Sequence, residues 1–419
     1  MKLAVIGGGS TYTPEVVDGL VRLRDRLHVD DLWLHDTNAE RLDVVSGLAR
    51  RMLARAGHPA RLETTTRLDD AVEGADAVLI QIRVGGQAAR MVDESLPLAC
   101  GCLGQETTGF GGLAKALRTV PVVLEIARRA SELAPDAWIV DFTNPVGIVT
   151  KALLDDGHRA VGLCSAAMVF QRHFAGVLGV DPARIELDHL GLNHLTWEVG
   201  VRLDGDEVLP TLLDEEHVDA VARATGLPAG LVQRLGTVPS YYLHYFYEHD
   251  AVVEEQRHSP SRAQVVSEIE RELLHQYADE SLEEKPELLS QRGGAGYSEA
   301  AVELVASLFG RGGEGRHVIN LRNHGVLPFL ADDAVVEVPA RVSSDSVAPV
   351  ELPGLGALER GLVAHVSAYE ELALDAALRG GRERVFAALL AHPLVGQADV
   401  ADRLTDELLR ANRDFLSWL

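Results

Sequence analysis

The chain has little of several things that would have pointed elsewhere. Only three cysteines occur in 419 residues, Cys100, Cys102 and Cys164. An odd, sparse set in a large chain argues against a disulfide framework. Aromatic residues make up 5%, so Ala, Leu and Val carry most of the 47% hydrophobic content. No run approaches the roughly 20 apolar residues of a membrane span, and no signal-peptide core follows Met1-Lys2. These absences lead to the expectation of a cytoplasmic protein with no membrane partner. Basic residues are scarce as well: 39 Lys and Arg stand against 63 Asp and Glu, a formal net charge of −24. The acids are dispersed and read as a solubility device. Nucleic acid is excluded as a partner, because phosphate contacts need a basic face. An anionic small molecule would need a local cluster of arginines against this field.

What is present is an alternation of apolar runs and amphipathic stretches. Lys2–Gly7 reads as a buried strand and Tyr12–Arg26 as a helix with Thr13 as cap and Pro14 in its first turn. Asp31–His35 predicts a second strand, Asn38–Ala56 a helix, Ala75–Val84 a strand, Thr119–Leu133 a helix and Ala137–Phe142 a strand. This is the pattern of a doubly wound, Rossmann-like parallel sheet in an α/β fold. From about residue 160 the alternation becomes irregular. Leu190–Val199 is an apolar run, Gln264–Tyr277 a helix, Gly293–Gly296 a glycine-rich turn before a helix over Ser298–Phe309, and 343–357 a polar loop. The last sixty residues are helical, with breaks near Gly380 and Pro393. The expectation is an NAD-binding domain over 1–160 and an α+β domain over 161–419 for catalysis, metal binding and oligomerisation, with the site between them.

Gly7, Gly8, Gly9 and Ser10 sit between the first strand and the first helix, where a pyrophosphate meets unpaired helix N–H groups. Asp36 closes the second strand, where a carboxylate accepts from ribose hydroxyls and repels a 2′-phosphate, favouring NAD over NADP. The third glycine position is occupied by Tyr12. Cys164 ends the apolar run VGLC, and His194 lies in GLNHLTW. A thiolate with an imidazole suits Mn, Fe, Co, Ni or Zn better than Mg or Ca, and two protein ligands leave positions open for substrate oxygens.

The surrounding motifs run in order along nearly the whole chain: GGGSTYTPE (7–15), IRVGG (82–86), Arg90 followed by DESLPL, GQETTG (104–109), DFTNPVG (141–147), GLC (162–164), GLNH (191–194), YLHYF (242–246), RAQVVSEIERELL from Arg262, RGG (292–294) and HPLV (392–395). This set resembles glycoside hydrolase family 4, the NAD- and divalent-metal-dependent glycosidases, and within it is most similar to the 6-phospho-β-glucosidases. The resemblance implies Cys164 and His194 as metal ligands, with Mn the expected ion. It implies Tyr242 as catalytic base, Glu106 as the carboxylate that tunes it, and Arg90, Asn144 and Arg262 as substrate contacts. The expected substrate is a small sugar, anionic at C6. The implied reaction is oxidation at C3, deprotonation at C2, elimination of the aglycone, water addition and re-reduction, outside the usual two-carboxylate scheme. Members commonly form homodimers or homotetramers.

The chain departs from the family after the metal cysteine. Asp stands there in the α-type enzymes and commonly Asn in the β-type, whereas this chain has Ser165. A serine cannot serve as a carboxylic acid donor, which disfavours α-glycosides. It keeps alive a same-mechanism enzyme for a uronide, galactoside or sulfo-sugar. A plain malate- or lactate-type NAD dehydrogenase is the reading from another class. A phenol near pKa 10 also needs a cation to act as a base, and the metal and Arg262 are the expected sources. Tyr241, Tyr245 and Tyr247 read as an aromatic wall, His173 and His189 as structural, and Cys100 and Cys102 as bystanders. Arg83 and Arg292 are further candidates for the anion site.

Overall fold

The computed structural model describes residues 1–292, 297–309 and 313–419. Its parallel part is β1 (Lys2–Ile6), β2 (Asp31–His35), β3 (Arg61–Thr65), β4 (Ala77–Ile80), β5 (Trp138–Asp141) and β6 (Ala160–Gly162). The second half adds β7 (Ile185–Leu192), β8 (Leu195–Leu203), β9 (Asp206–Glu207), β10 (Val238–Pro239), β11 (Gly315–Arg322), β12 (Val335–Val342) and β13 (Val347–Pro349). Among the described residues these form one thirteen-stranded sheet, ordered β10-β8-β7-β12-β11-β6-β5-β4-β1-β2-β3, with β9 on β8 and β13 on β12. Pairing is parallel from β3 to β6 and antiparallel from β6 through β11 onward. The sheet is continuous across β6, where the two halves were expected to divide.

The middle strands are apolar throughout, because helices cover both of their faces. β3, RLETT, is absent from the sequence reading: it is an exposed edge strand, and its polar residues give no apolar alternation. The strand expected over Ala75–Val84 pairs only over Ala77–Ile80; Gln81 then turns its amide to Gly7 and Thr13. The first helix is Thr13–Arg22, shorter than expected. Thr13 does not cap it. Its hydroxyl donates to the Gly8 carbonyl, and the Ser10 hydroxyl accepts from the Tyr12 N–H instead.

The largest difference lies in the helix expected from Thr119, which starts ten residues earlier and spans Gly109–Leu133. Two of the glycines in its first turn serve close packing. A Cβ on Gly111 would lie 2.1 Å from the Gln105 carbonyl oxygen, and one on Gly112 would lie 2.7 Å from the Thr107 carbonyl group. The first turn of this helix thus packs directly on the loop Gln105–Thr108.

Leu190–Val199 is not one run but the tip of the β7–β8 hairpin, closed by Asn193 and His194. The helix in the second half spans Arg262–Tyr277, started by a capping box between Ser261 and Gln264. The expected glycine-rich turn at 293–296 lies outside the described residues. The C-terminal helices are Ala357–Arg379, Arg382–Ala391 and Ala398–Ala411, with breaks at Gly380-Gly381 and Pro393 as expected. The first of them packs on Gly109–Leu133. Among the described residues, no helix is long and apolar enough to cross a membrane.

Candidate active site

A cavity of about 1550 Å3 opens beyond the C-terminal ends of the parallel strands and holds Gly7, Ser10 and Asp36 at one end and His194 and Tyr242 at the other. A cleft for one small ligand measures about 300–1,000 Å3, so this one has room for a dinucleotide and a sugar together.

At the nucleotide end, the glycine turn is shaped first by the protein itself. Gly7 has φ +92°, and its missing Cβ leaves room for the Gln81 carbonyl; a Cβ on Gly8 would strike Leu34, and one on Gly9 would strike Asp36. The Asp36 carboxylate accepts from the Gly9 N–H at 3.0 Å and from the Asn38 N–H at 3.0 Å. A carboxylate has about four lone-pair positions, so acceptors remain for two ribose hydroxyls. At the third glycine position, the Tyr12 ring is covered by the Arg292 guanidinium at 4.6 Å. Arg292 also donates to Glu270 at 2.7 Å, so its charge is largely satisfied inside the protein.

The middle of the cavity is a buried charge cluster centred on Glu106. Its carboxylate pairs with Arg83, with Lys115 at 2.6 Å and with Arg90 at 3.3 Å; Arg90 also donates to Glu94 at 2.7 Å. Burial opposes the charge on Glu106, yet Arg83, Lys115 and Arg90 hold its carboxyl well below the usual range. Burial and the two arginines lower Lys115 to about 7 against the pull of Glu106. Arg83, Arg90 and Lys115, set against Glu106 and Glu94, gather cationic groups in the cavity of a protein of net charge −24. Sequence reading missed Lys115, whose signal was a lysine on the otherwise apolar face of GFGGLAKAL.

At the far end, the His194 and Tyr242 rings stack face to face, 3.6 Å between centroids at 9°. His194 occupies the hairpin turn at φ +63°, a left-handed conformation that few non-glycine residues adopt. Its Nδ1 lies 2.8 Å from the Thr107 hydroxyl, and its Nε2 is buried with no hydrogen-bond partner. Burial lowers its pKa to about 4, which keeps the ring neutral. Cys164 follows β6, is buried, and lies close enough to Tyr242 for its charge to act on the phenol. None of the three cysteines forms a disulfide. Burial raises Tyr242 well above the ordinary tyrosine value, and Cys164, Tyr245, Glu106 and Glu337 add to the rise. Glu106 bears on this tyrosine as expected, whereas Arg262 is not among the main influences on it. Glu106 acts towards the phenol rather than the phenolate. Arg262, exposed at the start of its helix, donates to the Gln291 and Arg292 carbonyls and acts on Tyr12 and Tyr241 instead.

Among the described residues, no three His, Cys, Asp or Glu side chains converge as a metal site. The residues present nevertheless fit an ion held by two ligands: a neutral imidazole whose buried Nε2 has no hydrogen-bond partner and a buried thiol, both close to Tyr242, are borderline-soft donors. Asn144 lines the same cavity, and its Oδ1 is a buried acceptor without a partner. Ser165 is buried and its side chain does not cap the helix Ala166–Leu178 that it precedes.

Behind the turn lies a network that sequence reading assigned only as structural. His189 is wholly buried, with Nδ1 at 2.6 Å from Glu198 and Nε2 at 3.0 Å from Glu337. Glu337 also accepts from Asn193 at 2.7 Å and Asn320 at 2.8 Å, so it anchors the turn that presents His194. Its signal was a carboxylate inside the apolar strand VVEVPARV. Burial opposes the His189 charge, but the two carboxylates raise it to about 10. The stability it contributes is fully present below the unfolded histidine pKa near 6.5 and is lost as pH rises towards 10. His189→Gln leaves two carboxylates buried without their cation and costs about 3–5 kcal/mol. Urea unfolding of both proteins from pH 6 to 10 measures this. The difference should shrink as pH rises, and an equal urea midpoint at pH 6 would refute it. His173 is likewise structural, with Nε2 at 2.9 Å from the Ala220 carbonyl.

Comparison with known proteins fits this geometry. The family model described as family 4 glycosyl hydrolase matches residues 2–180, and that of the family's C-terminal domain matches 189–395. The 6-phospho-beta-glucosidase of Escherichia coli (strain K12) is 35% identical, with 99% of this chain and 96% of that protein covered. That of Thermotoga maritima is 31% identical, with 99% of each covered. A structure of the Thermotoga maritima enzyme with manganese, NAD+ and glucose-6-phosphate superposes with a TM-score of 0.92 at 32% identity, covering 99% of both chains. A malate dehydrogenase from Plasmodium falciparum gives a TM-score of 0.54 at 12% identity over 90% of this chain and 99% of that one, which shows a shared fold alone. The chain belongs to family 4 of the glycosyl hydrolases.

Proposed function

We propose that the protein hydrolyses 6-phospho-β-glucosides with NAD and a divalent ion, Mn2+ in the first instance, and that Cys164 and His194 hold the ion. The observation that carries this reading is the His194 ring: its buried Nε2 lacks a partner, and it stacks on Tyr242 in the cavity that also receives the glycine turn. When bound, NAD takes up and returns a hydride, and the ion polarises sugar oxygens as a Lewis acid.

The chain's own residues do the rest. Gly7, Gly8, Gly9 and Ser10 shape the turn under the pyrophosphate, and Asp36 accepts from the ribose. Arg90 and Arg262 supply cations for the C6 phosphate, and the Asn144 carbonyl oxygen accepts from a sugar hydroxyl. Glu106 holds Arg83, Arg90 and Lys115 in place around the sugar. Tyr242 takes the C2 proton at its phenolic oxygen. That step needs a cation beside it, since burial, Cys164, Tyr245, Glu106 and Glu337 all favour the phenol. Residues 1–160 thus serve the nucleotide, and 161–419 supply metal ligands and base.

The reading includes a cytoplasmic homodimer or homotetramer, supported by the exposed Leu358, Leu372, Leu378 and Leu390 on the C-terminal helices. Light scattering that returned the 45.2 kDa monomer would remove that part.

The test is release of p-nitrophenol from its β-glucoside and from the 6-phosphate, with Mn2+ and a reducing agent, with and without NAD. Cleavage of only the phosphorylated compound, dependent on NAD and without net NADH, is expected. No cleavage of either compound would overturn the substrate, and NADH accumulating on a simple hydroxy acid would overturn the hydrolase.

A further inference from the structure

The loop before the helix Gly109–Leu133 decides which nitrogen of His194 carries the proton. The Gln105 Oε1 faces three hydrogen-bond donors: the Thr107 N–H, the Thr108 N–H at 3.0 Å and the Thr107 hydroxyl at 2.8 Å. Two of the three are backbone N–H groups, which only donate, so the side-chain atom facing them is the oxygen and not the NH2. The Thr107 hydroxyl therefore points its one hydrogen at Gln105, because the alternative sets two acceptors against each other at 2.8 Å. Its lone pairs are left for the His194 Nδ1, also at 2.8 Å. An oxygen that offers only lone pairs needs an N–H opposite it, and in a neutral imidazole that leaves Nε2 bare.

A second observation agrees. Nε2 is buried without a partner, and an N–H there would be an orphaned donor, whereas a bare lone pair is what an ion requires. The loop is also held in register from both sides. Gly111 and Gly112 admit it against the helix, and the His392 ring accepts from the Gly109 N–H at 3.0 Å through Nε2.

We infer that Gln105 and Thr107 form a relay that fixes His194 in its Nδ1–H tautomer and aims the bare Nε2 at the metal position. Thr107 is a positioning residue, acting through His194. This rests on the metal reading above, but the tautomer itself is a property of the metal-free protein.

Two measurements test it. The first is 15N NMR of histidine-labelled, metal-free protein, with the His194 signals assigned by their loss in His194→Asn. A protonated Nδ1 and an unprotonated Nε2 are expected, and a protonated Nε2 would overturn the relay whatever the metal does. The second is titration with Mn2+, followed by loss of the free-ion EPR signal. Thr107→Val, which keeps the shape and removes the hydroxyl, should weaken Mn2+ binding by about 10–100-fold, the usual size of such supporting contacts. Thr107→Ser should restore it. Affinity of Thr107→Val within twofold of the unaltered protein would also overturn the relay. If the unaltered protein itself binds no Mn2+, the metal reading fails, and the NMR result still decides the tautomer.

Discussion

Replacing His194 by Asn, or Cys164 by Ala, is expected to abolish Mn2+ binding and with it at least about a thousandfold of activity. A Lewis acid on a developing oxyanion is worth several kcal/mol, and each 1.36 kcal/mol is tenfold in rate. Asn is the informative substitution at 194. The turn requires φ +63°, which Asn tolerates better than Ala, so the hairpin survives while the bare nitrogen is lost. The contacts of Asn193 with Glu337 and of Glu337 with His189 stay in place, which separates loss of the ion from collapse of the turn. At Cys164 the side chain is small and buried, and Ala removes little volume. Calorimetric Mn2+ titration, together with NAD-dependent hydrolysis before and after a chelator, measures both variants. If either one kept its activity and its sensitivity to chelator, the assignment of that ligand would be withdrawn.

Tyr242→Phe is expected to lower kcat by about 10^2–10^4-fold, the range of a general base, and to eliminate exchange of the C2 proton with solvent. NAD binding should be unchanged, because the hydroxyl removed from Tyr242 belongs to none of the groups that shape the nucleotide turn, Gly7–Ser10 and Asp36. The phenol is pushed up by burial first and then by Cys164, Tyr245, Glu106 and Glu337. A bound cation beside the phenolic oxygen favours the phenolate against these causes. Chelated, unaltered protein should therefore lose C2 exchange as completely as Tyr242→Phe does. Exchange that persisted in Tyr242→Phe would assign the proton to another group.

Much of the site was legible residue by residue. The turn Gly7–Ser10 with Asp36, the cysteine after β6 and GLNH each stand where their local sequence marks them, and Gly7, Ser10, Asp36 and His194 line one cavity. Cys164 is tied to it through Tyr242. The missed residues share a physical cause. Thr107 and Glu337 act through partners far away in the chain, Gln105 and Lys115 through a loop whose fold the sequence does not report, and neither period nor composition says which buried polar groups will face one another. Glu106 was singled out as the tuner of Tyr242, yet its three partners lie on two other helices and a loop, and their summed charge is what keeps it ionised. Arg262 shows the converse. Its sequence position suits a charge beside the base, but the chain turns its guanidinium to the carbonyls of Gln291 and Arg292.

The sequence by itself determined the α/β class, the order of the parallel strands' motifs, the family and the residue types available for chemistry. Those depend on local apolar periodicity and on short motifs. The tertiary structure decided what those residues can do. It closed the β7–β8 hairpin so that His194 is strained into the turn, and it started a helix at Gly109 because two missing Cβ atoms let it sit on the Gln105–Thr108 loop. It also brought Glu337 under that turn from a strand more than a hundred residues away. Hydrogen bonds have direction and buried charges need partners, and both are fixed only when distant segments meet.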